Sequence, residues 1–99
     1  MRAGKHLRIH DAALSELQET ARRYEVTRSG LGSEFVRAVD AAVERIMLGP
    51  EVWPLSLGEH RYVLPRLPFS IYYRLTADTV YVLAIAHQRQ QPGYWRTRK

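Results

Sequence analysis

The chain has 99 residues, enough for one folded domain and too few for two separate cores. Hydrophobic residues make up 45% and charged residues 25%, which is the composition of an ordinary globular protein and argues against disorder. Cysteine is absent, which excludes disulfides and thiolate metal sites, and no apolar run reaches the ~20 residues of a membrane span. Residues 1–99 are therefore expected to form a single cytoplasmic domain without a secretory signal, a metal ion or another cofactor.

The formal net charge of +5 is distributed unevenly along the chain. Residues 1–60 contain eight Lys or Arg and nine Asp or Glu, whereas residues 61–99 contain seven Lys or Arg and a single acid, Asp78. The positive excess therefore lies in the C-terminal part, where aromatic residues are interspersed with the cations. This distribution favours an acidic or polyanionic partner, and a solvated basic surface is the alternative.

The N-terminal half predicts a strand followed by two helices. Residues 6–10 alternate polar and apolar side chains, as a short strand does, and Asp11 is a typical helix N-cap. Apolar residues at three- and four-residue spacing then predict an amphipathic helix over about 12–26; they are Leu14, Leu17, Ala21 and Tyr24.

A second helix is predicted after the breaker "TRSGLGSE". Ser33 is its candidate N-cap, although the helix could begin a residue or two earlier, and Gly49-Pro50 ends it. Its apolar stripe consists of Phe35, Val36, Val39, Val43, Ile46 and Met47. Two helices with a short connection are expected to pack as an antiparallel hairpin. The loop that follows is expected to be anchored by Trp53.

Three strands are predicted in the basic C-terminal part, over 61–66, 69–75 and 79–86, with Asp78 in the last turn. The resulting order is β-α-α-β-β-β, an α+β fold in which a small antiparallel sheet carries the helical hairpin on one face. Along the middle strand, Phe69, Ile71, Tyr73 and Leu75 should point towards the helices. The alternate residues should then line an open face; they are Ser70, Tyr72 and Arg74.

The chain ends with cations and aromatic rings, in the stretch "HQRQQPGYWRTRK". His87 is a candidate for proton transfer or a phosphate contact, with a hydrogen-bonded strand-end histidine as the alternative. Trp95 is expected to clip this segment onto the domain, and Tyr94 to be an anchor for a partner. The remaining histidines, His6, His10 and His60, lack metal-ligand spacing.

Several stretches, taken in order, resemble the RelE/ParE superfamily of toxins from type II toxin–antitoxin systems. They are "ALSELQETARRY" in the first helix, "ERIMLGPEVWP" at the end of the second, the strand "LPFSIYYRL", and "VLAIAHQRQQPGYW" with its aromatic-arginine end "GYWRTR". The resemblance covers nearly the whole chain. It implies a small toxin that a co-expressed antitoxin keeps silent by wrapping an extended or helical tail around it.

One branch of the superfamily, the RelE type, consists of metal-independent endoribonucleases that cleave mRNA on the ribosome. Such cleavage needs a base for the 2′-hydroxyl, cations for the charge that develops on the phosphate, and an acid for the leaving oxygen. Ser70 and Gln88, however, stand where RelE-type toxins are expected to carry arginine. If the chain is RelE-like, the resemblance implies the catalytic set Arg61, His87, Arg89 and Tyr94.

The other branch, the ParE type, inhibits DNA gyrase and lacks that catalytic set. Its helical hairpin tends to be longer, and residues 11–50 allow about four turns in each helix. The resemblance therefore favours a ParE-like gyrase inhibitor that serves in plasmid stabilisation. The alternatives are a RelE-like mRNA interferase and an inactive relic that only binds its antitoxin.

The partners implied are the antitoxin, through an acidic segment, and either DNA gyrase or the ribosome with its mRNA. A heterotetramer or larger complex with the antitoxin is also implied. The residues expected to contact these partners are Arg61, Arg66, Tyr72, Arg74, Arg89, Tyr94, Arg96 and Arg98.

Overall fold

The fold was analysed in a computed structural model that describes residues 4–99, so the first three residues of the expected domain lie outside the described range. Its elements in chain order are β1 (His6–Ile9), α1 (Asp11–Thr27), α2 (Leu31–Leu48), β2 (Leu55–Ser56), β3 (Glu59–Val63), β4 (Phe69–Leu75) and β5 (Thr79–His87). Within this range, neither helix combines the length and the apolar character needed to cross a membrane.

The α+β fold is confirmed, with one strand more than predicted. The five strands lie in the order β1-β5-β4-β3-β2. Strands β2 to β5 pair antiparallel through short connections, whereas β1 pairs parallel with β5, so the sheet is mixed and not wholly antiparallel. Parallel neighbours need a long connection, and the chain between β1 and β5 includes both helices and is long enough to provide one.

Both helices begin at residues other than the predicted caps. The N-cap of α1 is His10, whose Nδ1 accepts a hydrogen bond from Ala12 N (2.9 Å), and Asp11 lies in the first turn. The acidic Asp11 still favours this end of the helix, because its charge complements the positive end of the dipole.

The start of α2 differs from the prediction in the same way, because Gly30 is its N-cap and Ser33 lies inside the first turn. Gly30 has φ 92°, a left-handed conformation that glycine adopts without a steric penalty. Instead of a capping hydroxyl, the Glu25 carboxylate accepts hydrogen bonds from Gly30 N (3.0 Å) and Gly32 N (3.0 Å). These hydrogen bonds lower the pKa of the Glu25 carboxyl.

The main core lies between the helices and one face of the sheet, as predicted. Phe69, Ile71 and Tyr73 of β4 are buried there, and Leu75 is partly buried at its edge. The Phe69 ring contacts that of Phe35 from α2, with 5.1 Å between centroids. The rings of this cluster hold the helical hairpin against the sheet. Trp53 packs on the same core, edge-on to Tyr62, as the loop anchor that the sequence predicts.

The opposite face of the sheet is covered, although it was predicted to be open. Trp95 is 1% exposed and stacks on Tyr72 with 4.3 Å between ring centroids. A β-bulge contributes to this second core, because the register passes from Tyr72↔Ala84 to Tyr73↔Val82 and leaves Leu83 without a partner. Leu83 and Ala84 therefore both belong to the cluster around Trp95. The structural role predicted for Trp95 is confirmed.

The closest approach of the two helices generates a prediction about stability. A Cβ atom at Gly32 would lie 2.6 Å from the backbone oxygen of Ala21, whereas one at Gly49 would meet only Val52, at 3.8 Å. Because backbone cannot move aside as a side chain does, Gly32→Ala should lower the free energy of unfolding by about 1–3 kcal/mol. The matched variant Gly49→Ala should stay within about 1 kcal/mol of the parent protein. Urea unfolding measures both, and equal losses would contradict the close packing.

Candidate functional site

The C-terminal segment is held by one carboxylate of α1. Glu16 Oε2 accepts hydrogen bonds from the Tyr94 hydroxyl (2.7 Å) and from Arg98 Nη2 (2.9 Å), while Oε1 accepts from Arg98 Nη1 (3.1 Å) and from Ile85 N (3.0 Å). The side chains of Glu16 and Arg98 are each only 18% exposed. We call these four residues the Glu16 clasp. Arg98 is thus held inside the protein and is not free for a partner, contrary to the prediction.

Sequence reasoning missed Glu16 because the apolar stripe predicted for the first helix does not include it. In the structure Glu16 lies between Ala13 and Thr20 on the face of α1 that is buried against the sheet. A carboxylate on a buried stripe requires a partner, since burying an unpaired charge is costly. The position of Glu16 three residues after Ala13 and four before Thr20 was therefore the available signal.

The clasp also completes the edge of β5. Strand β1 ends at Ile9, opposite Val82, so the second half of β5 has no neighbouring strand on that side. Side chains take the place of a strand there: Glu16 accepts from Ile85 N, and Arg98 Nη1 donates to the Leu83 carbonyl oxygen (2.9 Å). Unpaired strand edges invite further pairing, and these side-chain bonds satisfy part of this edge internally.

A second predicted contact residue is also neutralised within the protein. Arg74 donates to Glu59 Oε2 through Nε (3.0 Å) and Nη2 (2.7 Å), and this hydrogen bonding raises the pKa of the guanidinium. The prediction considered only Asp78 as a local acid. It missed Glu59 because the strand predicted over 61–66 began two residues too late. In the structure β3 begins at Glu59, and the pairing of His60 with Tyr73 places Glu59 beside Arg74. Tyr72 is 9% exposed beneath Trp95, so only a small part of its ring is accessible to a partner.

Four of the predicted contact arginines form no ion pair with any residue in the range 4–99; they are Arg61, Arg66, Arg89 and Arg96. All but Arg61 are exposed. Gln88 N donates to the Pro68 carbonyl oxygen (2.8 Å), which brings the segment that carries Arg66 next to the segment that carries Arg89. Unpaired positive charge thus remains at the end of the sheet where β3, β4 and β5 meet the C-terminal segment.

The half-buried Arg61 lies in a pocket of about 320 Å³ beneath the C-terminal segment. We call this cavity the Arg61 pocket. Arg61 Nε donates to the Ser70 hydroxyl (3.1 Å), and no acidic residue lines the cavity. Its remaining lining residues are Ser56, Leu57, Tyr72, Ala86, His87, Gln88, Gln90, Gln91, Pro92, Tyr94 and Trp95.

The candidate catalytic residues are divided between two cavities. Arg61, His87 and Tyr94 line the Arg61 pocket, whereas Arg89 lines a larger groove of about 680 Å³ between α1 and the end of β5, which His87 also reaches. The Tyr94 hydroxyl is engaged by Glu16, and burial, reinforced by that hydrogen bond, raises the pKa of this phenol far above its usual value. His87 Nδ1 accepts from Arg89 N (3.0 Å), so only its Nε2 is available. The structure thus gathers only part of the proposed set.

Two of the other histidines, His60 and His10, make structural contacts. His60 Nδ1 contacts the Trp53 carbonyl oxygen (2.6 Å), and its ring stacks on Tyr73. His10 caps α1. No group of three or more histidine or acidic side chains suited to a metal ion occurs in the described part of the chain.

Comparisons with known proteins point to one family. A family model described as "ParE toxin of type II toxin-antitoxin system, parDE" matches residues 7–92. Among solved structures, a chain from the chromosomal ParDE toxin–antitoxin system of P. aeruginosa is similar in fold, with a TM-score of 0.65 and 20% sequence identity over 84% of this chain and 95% of that one. No curated protein matches the sequence.

The Glu16 clasp predicts a large difference between two neighbouring acids. Glu16→Gln leaves Arg98 half-buried without a counter-charge and should lower the free energy of unfolding by about 1–3 kcal/mol. Glu19→Gln removes only an exposed pair with Arg22 at 3.7 Å and should change it by no more than about 0.5 kcal/mol. Urea unfolding compares the two variants. Equal effects would show that the clasp does not hold the segment.

The buried phenols predict a loss of stability at high pH. Burial raises the pKa of Tyr73 to about 12, and the pKa of Tyr94 is also raised. In the unfolded chain these protons leave near pH ~10, so the folded state binds more protons above that pH and the free energy of unfolding must fall. Tyr94→Phe should reduce this dependence between about pH 9 and pH 11 in urea unfolding. An unchanged slope in Tyr94→Phe would contradict the assigned environment of this phenol.

Proposed function

This chain belongs to the ParE toxin family of type II toxin–antitoxin systems, and we propose that it is a toxin that inhibits DNA gyrase and that a cognate antitoxin neutralises. On this proposal the protein acts in the cytoplasm, where it meets both DNA gyrase and the cognate antitoxin. Its cellular effect is a block to replication, and in a plasmid setting the pair would favour retention of the plasmid. The complex with the antitoxin is a heterotetramer or a larger assembly.

The observation that carries the proposal is the incomplete set of groups for RNA cleavage. Where a RelE-type enzyme is expected to carry arginine, the chain has the neutral Ser70, 3% exposed, and Gln88. Arg89, the nearest substitute, lines the groove on the other side of the strand end. Cleavage through a phosphorane requires several cations around one phosphate, and only Arg61 lines the pocket as a permanent cation.

The form of the surface supports an inhibitor that works by binding. Arg66 and Arg89 are exposed at one end of the sheet and form no ion pair with any residue of the range 4–99, and Arg96 is exposed in the C-terminal segment. Positive charge in this arrangement attracts an acidic surface and steers its approach. We assign the contacts with gyrase and with the acidic part of the antitoxin to these three arginines together with Arg61. Tyr94 contributes through the part of its ring that lines the Arg61 pocket.

The second candidate function is mRNA cleavage on the ribosome, and one observation favours it. Arg61 and His87 line the same pocket, where a cation and an imidazole are the kinds of group that phosphate chemistry uses. Primer extension on cellular mRNA after expression of the protein tests this reading. Cleavage within codons, abolished in Arg61→Gln, would replace the gyrase proposal with the nuclease.

A supercoiling assay with purified gyrase tests the main proposal. The protein should inhibit supercoiling, and the double variant Arg66→Glu/Arg89→Glu should need at least ~10-fold more protein for half-inhibition, because reversing two contact charges weakens binding and slows encounter. The matched control is Arg37→Glu, which reverses an exposed charge on α2 and should inhibit as the parent does.

Three outcomes contradict parts of this account. Equal inhibition by both variants would remove the contact surface from the basic end of the sheet. Growth arrest without inhibition of gyrase would exclude gyrase as the target. Neither inhibition nor growth arrest would identify a relic that only binds its antitoxin.

A further inference from the structure

We propose that the Arg61 pocket is the receptor for a single carboxylate side chain from the acidic segment of the antitoxin. The inference rests on the proposed function, since it assumes an antitoxin, and it goes further by assigning one acidic residue of that partner to one cavity. The pocket opens on the face of the sheet that the C-terminal segment covers, between β3 and that segment.

Two hydrogen-bond donors converge in the cavity without an acceptor. Arg61 uses Nε to donate to the Ser70 hydroxyl (3.1 Å), while its two Nη groups have no partner among residues 4–99. Ser70 is only 3% exposed, and its hydroxyl oxygen accepts the hydrogen bond from Arg61 Nε. Its own hydrogen is donated to no atom of the described chain. A guest that accepts from both groups would satisfy donors that no atom of the described chain satisfies.

The charge of the pocket fits one negative charge. Arg61 supplies one permanent cation, and the lining contains no Asp or Glu that could neutralise it from within. The planar guanidinium presents parallel donors that match the two oxygens of a carboxylate. A nucleic-acid strand carries a phosphate at every nucleotide and is bound by several cations along its path, so a pocket with a single cation suits it poorly.

The walls of the pocket fit a side chain that has an apolar stem. Leu57, Tyr72 and Trp95 contribute apolar surface, and the amides of Gln88 and Gln91 lie at the C-terminal side. A glutamate or aspartate that entered here would bury its methylene groups against the rings and place its oxygens on Arg61 and Ser70. The lower polarity of such a pocket strengthens a charge-assisted hydrogen bond relative to one at an exposed arginine.

The occupant would also link the C-terminal segment to the sheet. Trp95 and Gln91 belong to that segment, while Arg61 and Ser70 belong to β3 and β4. A carboxylate that contacts both groups therefore links the C-terminal segment to β3 and β4. The Glu16 clasp already joins the same segment to α1, through Tyr94 and Arg98. Neutralisation by the antitoxin would then include the removal of the Arg61 charge from the surface offered to the target.

A titration with small probes tests the pocket without the antitoxin. The probes are glutamate blocked at both ends, its neutral counterpart blocked glutamine, and methyl phosphate, each added to the full chain labelled with ¹⁵N. The side-chain Nε–H resonance of Arg61 should shift saturably with blocked glutamate. Blocked glutamine should bind at least ~10-fold more weakly, because it lacks the charge. Ser70→Ala should weaken the binding of blocked glutamate several-fold, whereas Arg37→Gln, on α2 and outside the pocket, should leave it unchanged.

Two results of this titration would overturn the proposal. One is equal binding, or no binding, of blocked glutamate and blocked glutamine. The other is tighter binding of methyl phosphate, which would assign the pocket to a nucleic-acid backbone. Because the readout needs neither gyrase nor growth arrest, a failure here is distinguishable from a failure of the proposed function.

The same assignment is then tested with the antitoxin encoded beside this chain. Arg61→Gln should weaken the complex at least ~10-fold, and replacing one acidic residue of the antitoxin by its amide should have the same effect but no further effect on the Arg61→Gln protein. Arg37→Gln is the matched control and should bind as the parent does. Additive losses for every acidic residue of the antitoxin would contradict a single carboxylate in this pocket.

Discussion

The carboxylate of Glu16 is the interaction on which the rest of this structure depends. It joins α1, the free half-edge of β5 and the C-terminal segment at a single point, because its two oxygens accept from Ile85, Tyr94 and Arg98. With the segment held there, Trp95 lies on Tyr72 and closes the second core. The same placement forms one wall of the Arg61 pocket. A domain of this size has few residues to spare for a second hydrophobic layer, and it obtains one from its last twelve residues.

Internal pairing decides which cations are left for a partner. The basic half of the sequence suggests a continuous positive face, but Arg74 is paired with Glu59 and Arg98 with Glu16. Both acids come from the nearly neutral first sixty residues. What remains is a smaller positive surface at one end of the sheet, with one further arginine enclosed in a pocket. This arrangement favours selective docking over general attraction to polyanions, since few charges of defined position are available.

The elements of this fold were largely predictable from local patterns, whereas the site was not. Helical spacing of apolar residues predicted both helices, and the alternation along β4 predicted that Phe69, Ile71 and Tyr73 face them. The cap of α2 was misplaced because a glycine with positive φ, supported by Glu25, replaced the expected serine. Glu16 bonds to Ile85, which lies 69 positions further along the chain, and to Tyr94, which lies 78 positions further. Periodic spacing of side chains predicts only local contacts and so could not indicate these. The prediction of an open sheet face was wrong for the same reason. The sequence pattern does not indicate that Trp95 packs on Tyr72.

The family model and the structure describe a ParE toxin fold, and the proposed function assigns its basic end to binding. The central physical claim is that the Glu16 clasp fixes the C-terminal segment against the sheet. Nuclear Overhauser contacts in the folded protein test it most directly. The account predicts contacts between the Trp95 indole and the Tyr72 ring, which lie 4.3 Å apart between centroids. A Trp95 indole that shows no contact with the Tyr72 ring would contradict it.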